Sequence, residues 1–279
     1  MDDVTTIPAD QLGVGSPIRT EILETDQDLY HDMARTMLNA VRANDAIGKP
    51  TVFILPVGPV GQYRRMARIC NLERISLRDL FAFNMDEYLT EGGEWLPIDH
   101  PLSFRGHMQR SFLDLMDPEL APPAEQIIFP DPRDPAAVPR RIEELGGVDI
   151  CYGGIGITGH IAFNEPPEPG VEISVEEFAA LPTRVLELSR ETRTINSVTV
   201  ADGNLPLIPR LAITVGMKEI LAAREIRLYC NRVWQRAIMR RVLHGDVTAT
   251  VPCSLVQRHP NASLTMTAEV AEPPRRRLA

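Results

Sequence analysis

The stretch Cys151–Pro166, CYGGIGITGHIAFNEP, decides how the chain is read. Val148, Ile150 and Tyr152 form an apolar alternation that runs into Gly153, Gly154, Gly156 and Gly159. Glycine lets backbone approach a ligand closely and adopt dihedrals that other residues avoid. In an open parallel sheet, ligands bind beyond the carboxyl ends of the strands. His160 and Glu165 follow the glycines before Pro166, so a candidate acid–base pair is delivered to that edge.

Working outward, strands and helices alternate. Thr51–Pro56 (TVFILP) is a short apolar run that predicts a buried strand, and Leu80–Met85 (LFAFNM) predicts a second. With Val148–Tyr152 as a third, shorter strands are expected at Ile213–Val215, Ile226–Cys230 and Ser263–Thr267. Helices are expected at Gln62–Asn71, Pro101–Met116, Ala136–Leu145, Met217–Ala223 and Val233–His244. This alternation predicts an α/β fold: a doubly wound, mostly parallel sheet with helices on both faces, a Rossmann-like three-layer arrangement. No internal repeat, linker or heptad pattern divides the chain. One domain over 1–279 is expected, with 1–20 and 271–279 as flexible tails.

Composition narrows the function classes. The chain has 279 residues, 44% hydrophobic and 24% charged, ordinary for a soluble globular protein. A net charge of −9 argues against nucleic acid, whose phosphates demand a basic footprint. Apolar runs fall far short of a membrane span, and the acidic start MDDVTT does not resemble a signal peptide. Cys70, Cys151, Cys230 and Cys253 show no CxxC spacing, which fits a reducing, cytoplasmic setting better than a disulfide or metal framework.

Two clusters could carry chemistry. Asn84-Met85-Asp86-Glu87-Tyr88 follows a strand, and its acids read as a helix cap, a solvated turn, or a base at the sheet edge. His160 with Glu165 reads as a structural hydrogen bond or as a catalytic pair. Gly154, Gly156 and Gly159 spell G-x-G-x-x-G, but Pro166 and Pro167 stop the long helix that a dinucleotide site requires. The basic run Arg232–Arg241 reads as a solvated helix face, with anion binding the minority reading. No cofactor and no metal are expected, since His160 and Glu165 lack further ligands at metal-site spacing.

FNMDEY at 83–88, GGIGITGHIAFNEP at 153–166, ETRTINS at 191–197 and ITVGMKEIL at 213–221 resemble the glucosamine-6-phosphate deaminase family. They stand in family order from about residue 50 to 270. The wider superfamily includes 6-phosphogluconolactonases and sugar-binding regulators; the FNMDEY and FNEP forms favour the deaminase branch. The resemblance implies Asp86 as the base that moves a proton between C2 and C1 of an open-chain sugar. It implies His160 as the group that opens the ring, and Glu165 as the carboxylate that orients it. Gly58, Glu87, Gly154, Gly156, Thr158, Gly159 and Arg184 are the expected substrate contacts. The implied partner is a small-molecule sugar or amino sugar, with a homo-oligomer left open.

Departures from the family pattern concentrate at the phosphate end. Pro56-Val57-Gly58-Pro59-Val60-Gly61 lacks the hydroxyls of the family's phosphate loop. Val198 replaces a phosphate-contacting arginine, and Trp234 or Gln235 replaces a lysine. Thr158 stands where the family has an aspartate, and 167–181 is longer than the family's loop. The expectation is an isomerase or deaminase not optimised for glucosamine 6-phosphate, taking a sugar unphosphorylated at that end or an anion held by Arg184 or Arg193. A lactone hydrolase on the same scaffold and a non-catalytic sugar-binding protein are the alternatives.

Overall fold

A computed structural model describes residues 3–275. Its ten strands are β1 Arg19–Leu23, β2 Thr51–Leu55, β3 Leu80–Asn84, β4 Asp86–Leu89, β5 Ile127–Ile128, β6 Ile150–Gly153, β7 Arg184–Glu187, β8 Leu211–Thr214, β9 Glu225–Cys230 and β10 Ala262–Thr267. The helices are α1 Asp26–Asp45, α2 Gln62–Glu73, α3 Phe104–Ser111, α4 Ala137–Glu144, α5 Val175–Ala179, α6 Arg190–Val200, α7 Met217–Leu221, α8 Gln235–His244 and α9 Ala268–Ala271.

Seven strands form one sheet in the order β1-β10-β9-β6-β2-β3-β5, every pair parallel. The period-two rule explains its three layers. Along β2, Val52 and Ile54 enter the core shared with α7 and α8, while Phe53 and Leu55 enter the core shared with α1 and α2. Both faces are therefore covered, as a parallel sheet requires. From β2 the chain winds outward through β3 to β5, then returns to β6 and winds the other way. The order reverses between β2 and β6, and that switch point is where an open α/β sheet leaves a crevice.

Several expectations need correction. The strand at Ile213–Val215 lies outside the main sheet: β8 pairs antiparallel with β4 and β7 in a separate three-stranded sheet. Its position after a helical stretch mimics the parallel alternation, and nothing local reports the partner. The twenty-residue α1, started by a Thr25–Asp28 capping box, was not expected, nor was α6 over ETRTINS. Residues 3–18, expected as a mobile tail, are packed. Ile18 and Leu12 are buried, the Ile7 carbonyl accepts from Arg240 Nε at 2.7 Å, and Gly13 N–H donates to His244 Nε2 at 3.2 Å. At the other end, Ala271 is buried and accepts from Arg240, whereas 276–279 lie outside the described residues. Arg240 thus ties both ends of the chain to α8 from a fully buried position. Arg236 is also buried, donating to the Glu269 carbonyl, so the basic run is only partly a solvated face.

Candidate active site

At the switch point a cleft of about 480 Å³ opens beyond the carboxyl ends of β2, β6 and β9. Its walls include Pro56–Val60 after β2, Gly154–Gly156 after β6, and Asn231, Arg232, Trp234 and Gln235 after β9, together with Asp86, His160 and residues of α3 and α6. The main sheet supplies one rim and the small sheet the other. Met85 alone separates β3 from β4: its N–H donates to the Leu55 carbonyl at 2.9 Å and its carbonyl accepts from Val215 N–H at 2.7 Å. That one-residue change of sheet turns Asp86 into the cleft. Burial, and then the charge of Glu87, push the Asp86 carboxyl up to about 8. A buried carboxylate so placed is poised to exchange protons near neutral pH.

His160 faces the same cleft on a tight glycine turn, with Gly156 N–H donating to the His160 carbonyl at 2.9 Å. Its Nδ1 lies 2.8 Å from Thr158 Oγ1 and 3.2 Å from Glu165 Oε2, and Thr158 Oγ1 donates to Glu165 Oε2 at 2.9 Å. The three groups form a closed relay in which Thr158 can accept from Nδ1–H and donate to the carboxylate. This network assigns the proton to Nδ1 and leaves Nε2, which abuts Gly156, open for chemistry. Burial pushes the Glu165 carboxyl up, but the charge of His160 and the hydrogen bonds from His160, Thr192 and Thr158 outweigh it and hold it at about 2. Glu165 therefore stays ionised behind the imidazole. Asn164 locks this loop to the small sheet, its Nδ2 donating to the Val215 carbonyl at 2.9 Å.

Of the expected contacts, Gly58, Gly154 and Gly156 line the cleft, with Thr158 behind His160. Gly159 does not; its φ of +85° serves the turn, which packs on Val251 and Ile238. Glu87 is a correction. It is fully buried, and its carboxylate accepts from the N–H groups of Tyr88, Phe104 and Arg105 and from Ser103 Oγ, all within 2.9–3.1 Å. Burial pushes its carboxyl up against those bonds. It anchors the start of α3 because adjacent strand residues point to opposite faces, so only one acid of the Asp86–Glu87 pair can face the cleft. Glu87→Ala is expected to lower unfolding free energy by about 1–3 kcal/mol by stranding these donors, read from denaturant titration. Arg184 is a second correction: it donates to Asn164 Oδ1 at 2.8 Å outside the cleft wall. Arg193 likewise turns away, bonding the Ile208 carbonyl.

Wall residues that sequence reasoning missed are His107, Tyr88 and Asn196. Asn196 Nδ2 donates to Tyr88 Oη at 2.9 Å, joining α6 to β4 across the small sheet. Both residues sit inside quoted motifs, but only the missed helix α6 and the antiparallel sheet bring them together. Val57, Pro59, Val60 and Val200 make an apolar stretch of the wall, which Arg232 and Trp234 also line. Among the described residues no group of three or more His, Cys, Asp or Glu is placed to hold a metal. Nor is any described helix long and apolar enough to cross a membrane.

Curated relatives match along most of the chain. A glucosamine-6-phosphate deaminase of Porphyromonas gingivalis is 34% identical over 246 residues, covering 85% of this chain and 87% of the relative. The chain belongs to the glucosamine-6-phosphate deaminase family. Another deaminase of the family, from Phocaeicola vulgatus, is 31% identical over 248 residues with the same coverage. No family model matches the sequence. Among solved structures, a monomeric glucosamine-6-phosphate deaminase superposes with a TM-score of 0.76 at 26% identity, over 91% of this chain and 99% of that one. The 6-phosphogluconolactonase of Trypanosoma brucei superposes at 0.65 with 15% identity, over 91% and 97%, which is a likeness of fold. The mostly parallel sheet expected from the sequence is thus the fold of the deaminase family and of these lactonases.

Proposed function

We propose that the protein is an aldose–ketose isomerase or deaminase acting on an amino sugar or related sugar. The observation that carries this reading is the opening of a buried, high-pKa carboxylate and an oriented imidazole onto one cleft. His160 Nε2 moves the proton between the ring oxygen and the anomeric hydroxyl as the ring opens. Glu165 and Thr158 hold the imidazole in position and balance its charge. Asp86 then takes the proton from C2 while O1 is protonated, giving an enolamine. Returning the proton to C1 leaves an imine at C2, which water hydrolyses to a ketose and ammonia. One base within reach of two adjacent carbons suffices for the transfer. The glycine at 154 lets backbone come close to the developing charge on O1, the Gly156 N–H being taken by the His160 carbonyl.

The distal end of the cleft supports a substrate without phosphate. Family members named for glucosamine 6-phosphate must hold a dianion there, and each charge-assisted contact contributes roughly 1.5–3 kcal/mol. Val57, Pro59, Val60 and Val200 offer no side-chain donor, neither Arg184 nor Arg193 reaches the wall, and Arg232 is the one arginine that lines it. Two or three lost contacts amount to about 3–9 kcal/mol, enough to move a micromolar affinity to millimolar or weaker. Glucosamine 6-phosphate is therefore expected to be a poor substrate relative to sugars unphosphorylated at that end. Steady-state assays of ammonia and ketose with both kinds of sugar test this. Efficient turnover of the 6-phosphate at micromolar concentration would overturn the substrate reading. Lactone hydrolysis without any C2-proton exchange would overturn the reaction class.

A further inference from the structure

A second cavity, of about 620 Å³, lies along the carboxyl edge of the sheet beyond β9, β10 and β1. It shares Thr199, Asn231, Arg232 and Trp234 with the catalytic cleft, so the two run together as one groove past the apolar distal end. Its far wall carries Glu24, Asp26 and Glu269. Asp26 and Glu269 sit in the first turns of α1 and α9, where a carboxylate complements the helix dipole. Glu24 lies before the cap of α1 and has no such role. None of the three side chains makes a hydrogen bond or ion pair among the described residues, and the Arg232 guanidinium is also unpaired. Trp234 stands in both walls, with an enclosed indole Nε1–H that has no partner.

We infer that this second cavity is a distal sugar subsite, and that the substrate is a reducing amino sugar carrying a glycosyl group where relatives take a phosphate. The inference rests on the proton-transfer reading for the orientation of the substrate, with C1 and C2 at Asp86 and His160 and the far end at Val57–Val60. A group attached at that far end must leave the cleft past Trp234. Three carboxylates against one guanidinium repel a phosphate, whereas sugar hydroxyls or an ammonium group donate to carboxylates. The aromatic wall suits the apolar C–H face of a pyranose, and the valines at the neck demand no charge. The cleft alone holds a monosaccharide, so the annex gives the remaining wall residues a ligand to contact.

The test compares glucosamine, glucosamine 6-phosphate and a 6-O-glycosyl glucosamine, with binding read by calorimetry and proton transfer by C2 exchange in deuterated water. The disaccharide is expected to bind about tenfold more tightly than glucosamine. In a Glu24→Gln, Glu269→Gln variant the ratio of the two affinities should fall toward one. Because the ratio is internal to each protein, a partly unfolded variant does not imitate the result. Equal affinity for disaccharide and monosaccharide, or tighter binding of the 6-phosphate than of either, would overturn the subsite. A disaccharide preference without C2 exchange for any sugar would support the subsite and overturn the proton-transfer chemistry. Exchange with glucosamine alone would do the reverse.

Discussion

Asp86→Asn is expected to slow C2-proton exchange by roughly 10²–10⁴-fold, the usual contribution of a positioned general base. The substitution keeps the volume and the strand pairing with Thr214, so the cleft survives while its base does not. The sign of the stability effect separates this outcome from misfolding. Burial and Glu87 raise the folded-state pKa of Asp86 to about 8 from 3.8. The unfolded chain therefore releases this proton at lower pH, and native stability falls as pH rises between those two values. Removing the carboxyl abolishes that loss, so the variant should be at least as stable as the parent at pH 8. The same shift governs activity. In the parent, kcat/KM should climb with pH through a limb centred near 8, and in Asp86→Asn that limb should vanish from the residual rate. A variant with parental turnover would remove Asp86 from the mechanism, and one that unfolds at pH 8 would contradict the raised pKa of its carboxyl.

Gly156→Ala should act at a distance of one side chain. A β-carbon there would sit 1.9 Å from His160 Nε2 and 2.2 Å from Cε1, so the imidazole has to move. It cannot move freely, because Thr158 and Glu165 hold Nδ1. Displacing a reacting group by about 1 Å costs on the order of 10²-fold in rate. The loss should fall on ring opening: turnover of the cyclic sugar should drop about a hundredfold, while an open-chain analogue is spared. Gly156 has no positive φ to strain, so the stability loss should be confined to this overlap, about 1–3 kcal/mol by denaturant titration. Equal losses on cyclic and open-chain substrates would argue that Gly156 supports the whole cleft and not His160 in particular.

The elements that could be read from sequence are those whose signal is local. β2, β3 and β6 are apolar runs bounded by turn residues, and their successive side chains feed both cores. His160 and Glu165 could be paired because the glycine turn brings residues five apart together. What escaped reading depends on partners distant in sequence. β4 and β7 are short, polar-edged strands that exist through β8, and only that sheet turns Asp86 toward the cleft and Glu87 toward the start of α3. The amphipathic pattern of α1 is diluted by acids at its start, where the helix dipole favours them. Arg184 looked like an anion ligand because a free arginine and one bonded to Asn164 are identical in sequence. Arg240 misled in the same way: a basic helix position reads as solvated until the terminal carbonyls that enclose it are known.

The most direct measurement follows the C2 proton itself. An amino sugar deuterated at C2 is incubated with the protein in ordinary water, and the sugar and any ketose are analysed by mass spectrometry and NMR. A single base serving both carbons predicts loss of label from C2 and recovery of a fraction of it at C1 of the ketose, both dependent on Asp86. Complete retention of deuterium at C2 across phosphorylated, free and glycosylated amino sugars would contradict the account.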